Sequence, residues 1–153
     1  MHTLLALYRT TTRFDVLLTR WGGSLMSLTI RCYIGWQFMK AGLVKVQDWS
    51  ATLALFRDEY HVPLLAPEVA AYLGAGAELV LPVLLFAGLL TRPAALALFL
   101  VNALAVLSYP QLFGFECPAA LNDHFFWGAA LLVVAAFGPG RVSLDYLLQK
   151  NAD

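Results

Sequence analysis

Four ionisable side chains stand in or at the edges of long apolar stretches of this chain: Arg31, Lys45, Glu78 and His124. Inside a bilayer a charge costs at least ~2.5–3.5 kcal/mol on insertion scales, so each needs a partner or a polar cavity. Counted from the expected span ends, Arg31 lies roughly 12 Å deep and Glu78 roughly 18 Å deep at ~1.5 Å per residue. With span ends uncertain by a few residues, the two depths agree, and an Arg31–Glu78 ion pair between neighbouring helices is expected. Such a pair either locks the bundle and does nothing else or takes part in chemistry. His124 has the pKa range to titrate near neutral pH, to shuttle a proton or to ligate a metal. One histidine among scattered carboxylates makes a poor metal site, so no metal is expected. Lys40 reads as a side chain reaching up to the membrane surface and not as a reactive amine.

These residues are carried on a chain that looks built for lipid. Of its 153 residues 60% are hydrophobic and only 13% charged, against about 25% charged in ordinary soluble domains. The net charge is zero, so no basic surface points to nucleic acid. Two cysteines, Cys32 and Cys117, without a CxxC pattern, give no disulfide framework and no zinc site. Their expected depths differ by more than ~10 Å, beyond disulfide reach, so two free thiols are expected. Neither a c-type haem motif, nor a GxGxxG after a strand, nor a cysteine cluster is present.

The expected fold is all-α, a four-helix transmembrane bundle in one domain over 1–153, with spans at about 23–44, 67–90, 93–109 and 123–137. The fourth is short, which favours a start within 118–122 or a slightly thinned bilayer. Ahead of them, the run Leu4 to Tyr8 is too short for a cleaved signal. Residues up to Arg20 read as an amphipathic surface segment with Leu4, Leu7, Phe14, Leu17 and Leu18 toward lipid. In the loop 47–66, Trp49, Leu53, Phe56 and Tyr60 recur at helical spacing. That loop is either a short interfacial helix or a re-entrant connector. Arg9, Arg13, Arg20, Arg92, Arg141 and Lys150 fall on one side of the spans, and only Lys45 and Arg57 on the other. By the positive-inside rule both termini are cytoplasmic.

On the first span Arg31, Gly35, Phe38, Gly42 and Lys45 share one face; on the second, Ala70, Gly74 and Glu78 do. Small residues there allow close helix approach or leave room for a ligand. The order and spacing of several short motifs resemble the DoxX family of small four-span bacterial membrane proteins over about 28–147. They are Leu28-Thr-Ile-Arg31 with Gly35-Trp36, Gly42-Leu-Val-Lys45, Gly76-Ala-Glu78, Gly88-Leu-Leu-Thr-Arg92 and Gly138-Pro-Gly-Arg141-Val-Ser-Leu-Asp145. The loop Phe56-Arg-Asp-Glu-Tyr-His-Val-Pro63 resembles one subtype, associated with small metal-binding peptides.

The resemblance implies a multi-pass protein of the bacterial inner membrane in a redox or stress and metal-homeostasis setting. It leaves open whether the chain is an enzyme; if catalytic, it is part of a quinone-linked oxidoreductase system. Two functions follow as expectations. In one, a quinone-like ligand enters between helices and meets Arg31 and Glu78, or Lys45 and His124, with electrons supplied by a partner. In the other, the chain is a non-catalytic platform that recruits partner proteins. Besides the lipid bilayer, protein partners or a homo-oligomer are expected. A transporter ranks behind both, for want of an inverted repeat.

Overall fold

The computed structural model of the chain describes residues 12, 15, 16, 18–114 and 118–152. Within them the fold is all-α, with no strand. A single π-helical turn, Leu18–Gly22, leads into α1 (Gly23–Gln47), followed by α2 (Trp49–Asp58), α3 (Pro67–Ala87), α4 (Thr91–Ser108), α5 (Ala119–Phe137) and α6 (Leu144–Lys150). The four long helices close a ring in which α1 packs on α3 and α5, and α4 on the same two. Each contributes to one core, through Ile34 and Phe38, Leu85, Leu98, and Leu131 with Val134.

Three of them, α3, α4 and α5, are long and apolar enough to cross a membrane. They expose large apolar side chains such as Val80, Val83, Leu100, Leu107, Phe125 and Phe137, which bilayer lipid accommodates and water does not. The longest helix, α1, carries Arg31, Lys40 and Lys45 and does not meet the same measure. The amphipathic surface segment expected before it lies largely outside the described residues; Leu18, at its end, is exposed.

Local sequence sets the helix ends. Pro67 opens α3 at a position where its missing N–H costs nothing, and Glu68 faces the positive end of the helix dipole. Gly88 ends α3 with φ +64°, its N–H and that of Leu89 closing on the carbonyls of Leu85 and Leu84. Asp48 ends α1 and caps α2, accepting from the Ala51 N–H at 2.9 Å. The loop 47–66 thus contains a helix, and its apolar face (Phe56, with Trp49, Leu53 and Tyr60) packs on Ala70 and Ala71 of α3. The start of α5 at Ala119 lies four residues earlier than 123 and within the 118–122 start that the short fourth span favours.

The turn from α3 to α4 depends on a distant residue. Leu90 sits at φ +48°, a costly conformation for a residue with a Cβ, and no local side chain caps α4. Asp145, at the start of α6, does so instead. Its two carboxylate oxygens accept from the N–H groups of Leu90 and Thr91 at 2.8 and 2.9 Å, while its own N–H donates to the Gly88 carbonyl at 2.8 Å. Burial pushes the Asp145 carboxyl up, but these N–H donors and the Arg31 charge outweigh it and hold it below the ordinary carboxylate range.

A Cβ at Gly88 would run into both the Arg31 guanidinium and Ser143. Replacing Gly88 by alanine therefore combines a strained φ with a steric clash, and is expected to destabilise the fold by at least ~1–3 kcal/mol. Gly76→Ala, where an added Cβ meets nothing within 4 Å, should be neutral or stabilising. Thermal unfolding of the two variants in detergent checks the contrast; equal midpoints would refute it.

Candidate functional site

The stripe read from α1 spacing is its buried face: Arg31, Gly35, Phe38 and Gly42 are all buried. Gly35 faces the Phe86 ring and Gly42 faces the Cβ of Glu78. This register places Arg31 beside the last turn of α3 and Glu78 near the far end of α1. The expected Arg31–Glu78 ion pair does not form. From residue 31 to residue 42 the helix rises ~16 Å, too far for the two side chains to meet. The depth estimate failed because α1 overruns α3 by two turns. The overrun, Gly23 to Ile30, packs instead against the segment after α5: Ser27 donates to the Gly138 carbonyl at 2.8 Å, and Ser24 accepts from the Arg141 N–H at 3.1 Å.

Arg31 has no exposed surface. It donates to two backbone carbonyls, Leu85 at 2.9 Å and Val142 at 2.6 Å. The Leu85 carbonyl lies in the last turn of α3, where the helix dipole is negative. Arg31 is thus committed to holding backbone, and no cavity reaches it among those lined by Lys45 or Glu78.

Glu78 pairs with Lys45, whose Nζ lies 2.8 Å from Oε1 and 2.6 Å from Oε2. The Thr52 hydroxyl donates to the Lys45 carbonyl at 2.9 Å, tying α2 to the end of α1. One turn beyond Glu78, Pro82 has no N–H to give the Glu78 carbonyl, so this stretch of α3 carries an extra free acceptor. His124 is not part of this group. Its Nδ1 lies 2.8 Å from Asn102 Oδ1, and the Asn102 amide donates to the His124 carbonyl at 2.9 Å. That reciprocal contact links α4 to α5. Among the described residues no cluster of three metal-ligating side chains occurs. Cys32 is free and exposed; Cys117 lies outside the described residues, and with it the question of a pair.

The Lys45–Glu78 pair borders a cavity of about 310 Å³ between α3 and α4, beneath the loop that follows α2. Phe56, Val62, Leu65, Ala70, Leu73 and Leu104 supply apolar wall, and Leu65, Leu73 and Leu104 are exposed at its rim. Tyr60 and Ser108 are also among its lining residues. Ser108 is fully buried, and its Oγ has no hydrogen-bond partner. Burial pushes the Tyr60 phenol up to about 12, with the Glu78 charge adding to the shift, so it remains a donor at physiological pH. Its ring is held between those of Phe56 and Tyr109, at 4.9 and 5.1 Å and nearly parallel to both. Above it the His61 N–H donates to the Ser108 carbonyl at 2.8 Å, fastening the loop to the end of α4. Sequence reasoning missed Tyr60 and Ser108 as site residues. Tyr60 read as one of four apolar anchors, and nothing in the sequence marks one serine as unpartnered.

The DoxX family profile matches residues 26–111. This chain belongs to the DoxX family. An uncharacterized protein of Haemophilus influenzae is 30% identical over 134 residues, which cover 84% of this chain and 87% of its own. No solved structure matches this DoxX chain. The profile takes in both residues of the Lys45–Glu78 pair together with Tyr60 and Ser108, but stops short of the segment from Val142 to Asp145 that holds Arg31 and caps α4.

A half-buried ion pair is unforgiving to the loss of one member. Lys45→Met or Glu78→Gln alone is expected to cost ~3–5 kcal/mol, while the double variant is far less affected. Arg31→Leu and Glu78→Gln, by contrast, should add independently. Unfolding of the two double-mutant cycles in detergent measures both couplings. Additivity between Lys45 and Glu78 would refute the pairing.

Proposed function

We propose that this DoxX protein is a four-span subunit of a redox system that takes a neutral, quinone-like molecule from the bilayer into the cavity between α3 and α4. The observation that carries this reading is the apolar cavity itself, which has the Lys45–Glu78 pair, Tyr60 and the buried, unpartnered Ser108 among its lining residues. Small-molecule sites combine this predominance of apolar wall with a few convergent polar groups, in volumes of ~300–1,000 Å³. Because Glu78 neutralises Lys45, the cavity favours a neutral headgroup over an anionic one. Tyr60 and Ser108 donate to its carbonyl oxygens, and its tail leaves past Leu65, Leu73 and Leu104 into lipid. The chain binds and positions the ligand; electrons come from a partner protein. In this arrangement α1 is the fourth span, its charges met by the carbonyls of Leu85 and Val142 and by Glu78. The α6 end, which carries Arg92, Arg141 and Lys150, faces the cytoplasm, and the membrane is the bacterial inner membrane.

Protein purified in mild detergent is expected to carry quinone detectable by absorbance and mass spectrometry and to bind decylubiquinone. Ser108→Ala and Tyr60→Phe should each weaken that binding about tenfold, the loss of one hydrogen bond worth ~1.4 kcal/mol. An empty preparation that fails to bind the analogue but retains a copurified protein would overturn the reading in favour of a recruiting platform. Reporter fusions after Asp153 and within 47–66 should report opposite sides of the membrane, the former cytoplasmic; a C-terminus on the outer side would refute the topology.

A further inference from the structure

Lys45 and Tyr60 are walls shared by two cavities. On one side lies the apolar cavity between α3 and α4. On the other lies a groove of about 820 Å³ between α1 and α2, lined by Lys40, Asp48, Asp58 and Glu59 among others. The first opens toward lipid and the second carries charged side chains at the α2 end, so this partition stands between the lipid-facing cavity and the charged end of the bundle.

The two shared residues differ in mobility. Tyr60 is clamped between two aromatic rings. Lys45 has its backbone pinned by Thr52, but its ammonium sits at the end of a flexible four-carbon stem. The groove it borders is also lined by the acidic residues Asp58 and Glu59. Moving Lys45 off Glu78 leaves that carboxylate unmet, so the paired, closed arrangement is favoured and opening is transient.

We propose that the Lys45–Glu78 pair is a gate between the lipid-facing cavity and the groove between α1 and α2, through which the molecule bound from the bilayer is presented headgroup first to the aqueous side at the α2 end. The nature of that molecule rests on the quinone-binding reading; the passage itself does not. The partner that exchanges electrons with the headgroup therefore docks at the α2 end, opposite α6.

Cysteine accessibility tests the gate without any ligand. Cys32→Ser and Cys117→Ser clear the background, and Ala105→Cys places a reporter in the apolar cavity, on the helix that carries Ser108. A lipid-soluble maleimide should label it in every folded variant. A charged trimethylammonium thiosulfonate added to the water should label it slowly while Lys45 and Glu78 are intact. The Lys45→Met change, or the Lys45→Met/Glu78→Gln double change if the single variant does not fold, should raise the charged reagent's rate about tenfold or more. Tyr60→Ala, which removes the other shared wall, should do the same. An unchanged rate in all folded variants overturns the gate, as does equally fast labelling with the pair intact, which would mean a permanently open passage. Failure to bind decylubiquinone alongside a positive labelling result would sink the quinone reading and leave the passage standing.

Discussion

A buried guanidinium must be met by acceptors, and the way Arg31 is met organises one whole end of this protein. Its two hydrogen bonds reach the last turn of α3 and the segment before α6, so residues more than fifty positions apart are drawn onto one side chain. Once Leu85 and Val142 are fixed there, Gly88 has no room for a Cβ, and Asp145 is delivered to the start of α4. In lipid, helix association gains little from burying apolar surface, because the tails are as apolar as leucine. Polar contacts and close packing must supply the specificity, and this knot supplies both. It also explains why Arg31 needs no carboxylate beside it: backbone carbonyls at a negative helix end, with Asp145 nearby, provide the compensation.

With Arg31 occupied, Glu78 needs another cation, and the helix register supplies Lys45. The contacts of Gly35 with Phe86 and of Gly42 with Glu78 fix how far α1 slides along α3. A Cβ at either position would push the helices apart and pull Lys45 away from Glu78. The small residues of α1 are therefore positioning residues for the ion pair as well as packing elements. The same helix holds backbone at one end and borders a ligand-sized cavity at the other.

Much of this architecture is legible in the residues themselves. Apolar runs of span length locate α3, α4 and α5, and 3.6-residue spacing identifies both the buried stripe of α1 and the anchoring face of α2. The partner of Arg31 is not legible, because carbonyls carry no sequence signal and a carboxylate at a similar estimated depth looks like the natural answer. Counting depth from span ends assumes that neighbouring helices end level, and α1 and α3 do not. His124 misleads in the other direction. A lone histidine at a helix start invites a chemical role, yet its ring faces Asn102, a polar residue whose placement on α4 only the three-dimensional register reveals.

The two ends of the molecule bear different relations to family membership. At the α6 end, Gly88 to Arg92, which lies within the DoxX match, and Gly138 to Asp145, which lies beyond it, converge on Arg31 and on the capping of α4. Their geometry accounts for them as folding constraints, with no need of chemistry. The cavity at the α2 end is different: its polar lining comes from Lys45, Glu78, Tyr60 and Ser108, and two of these depend on the loop that follows α2. A scaffold locked at one end tolerates change at the other, because altering the α2 loop leaves the Arg31 knot untouched. The family name therefore accounts for the fold of this chain without fixing what its cavity does.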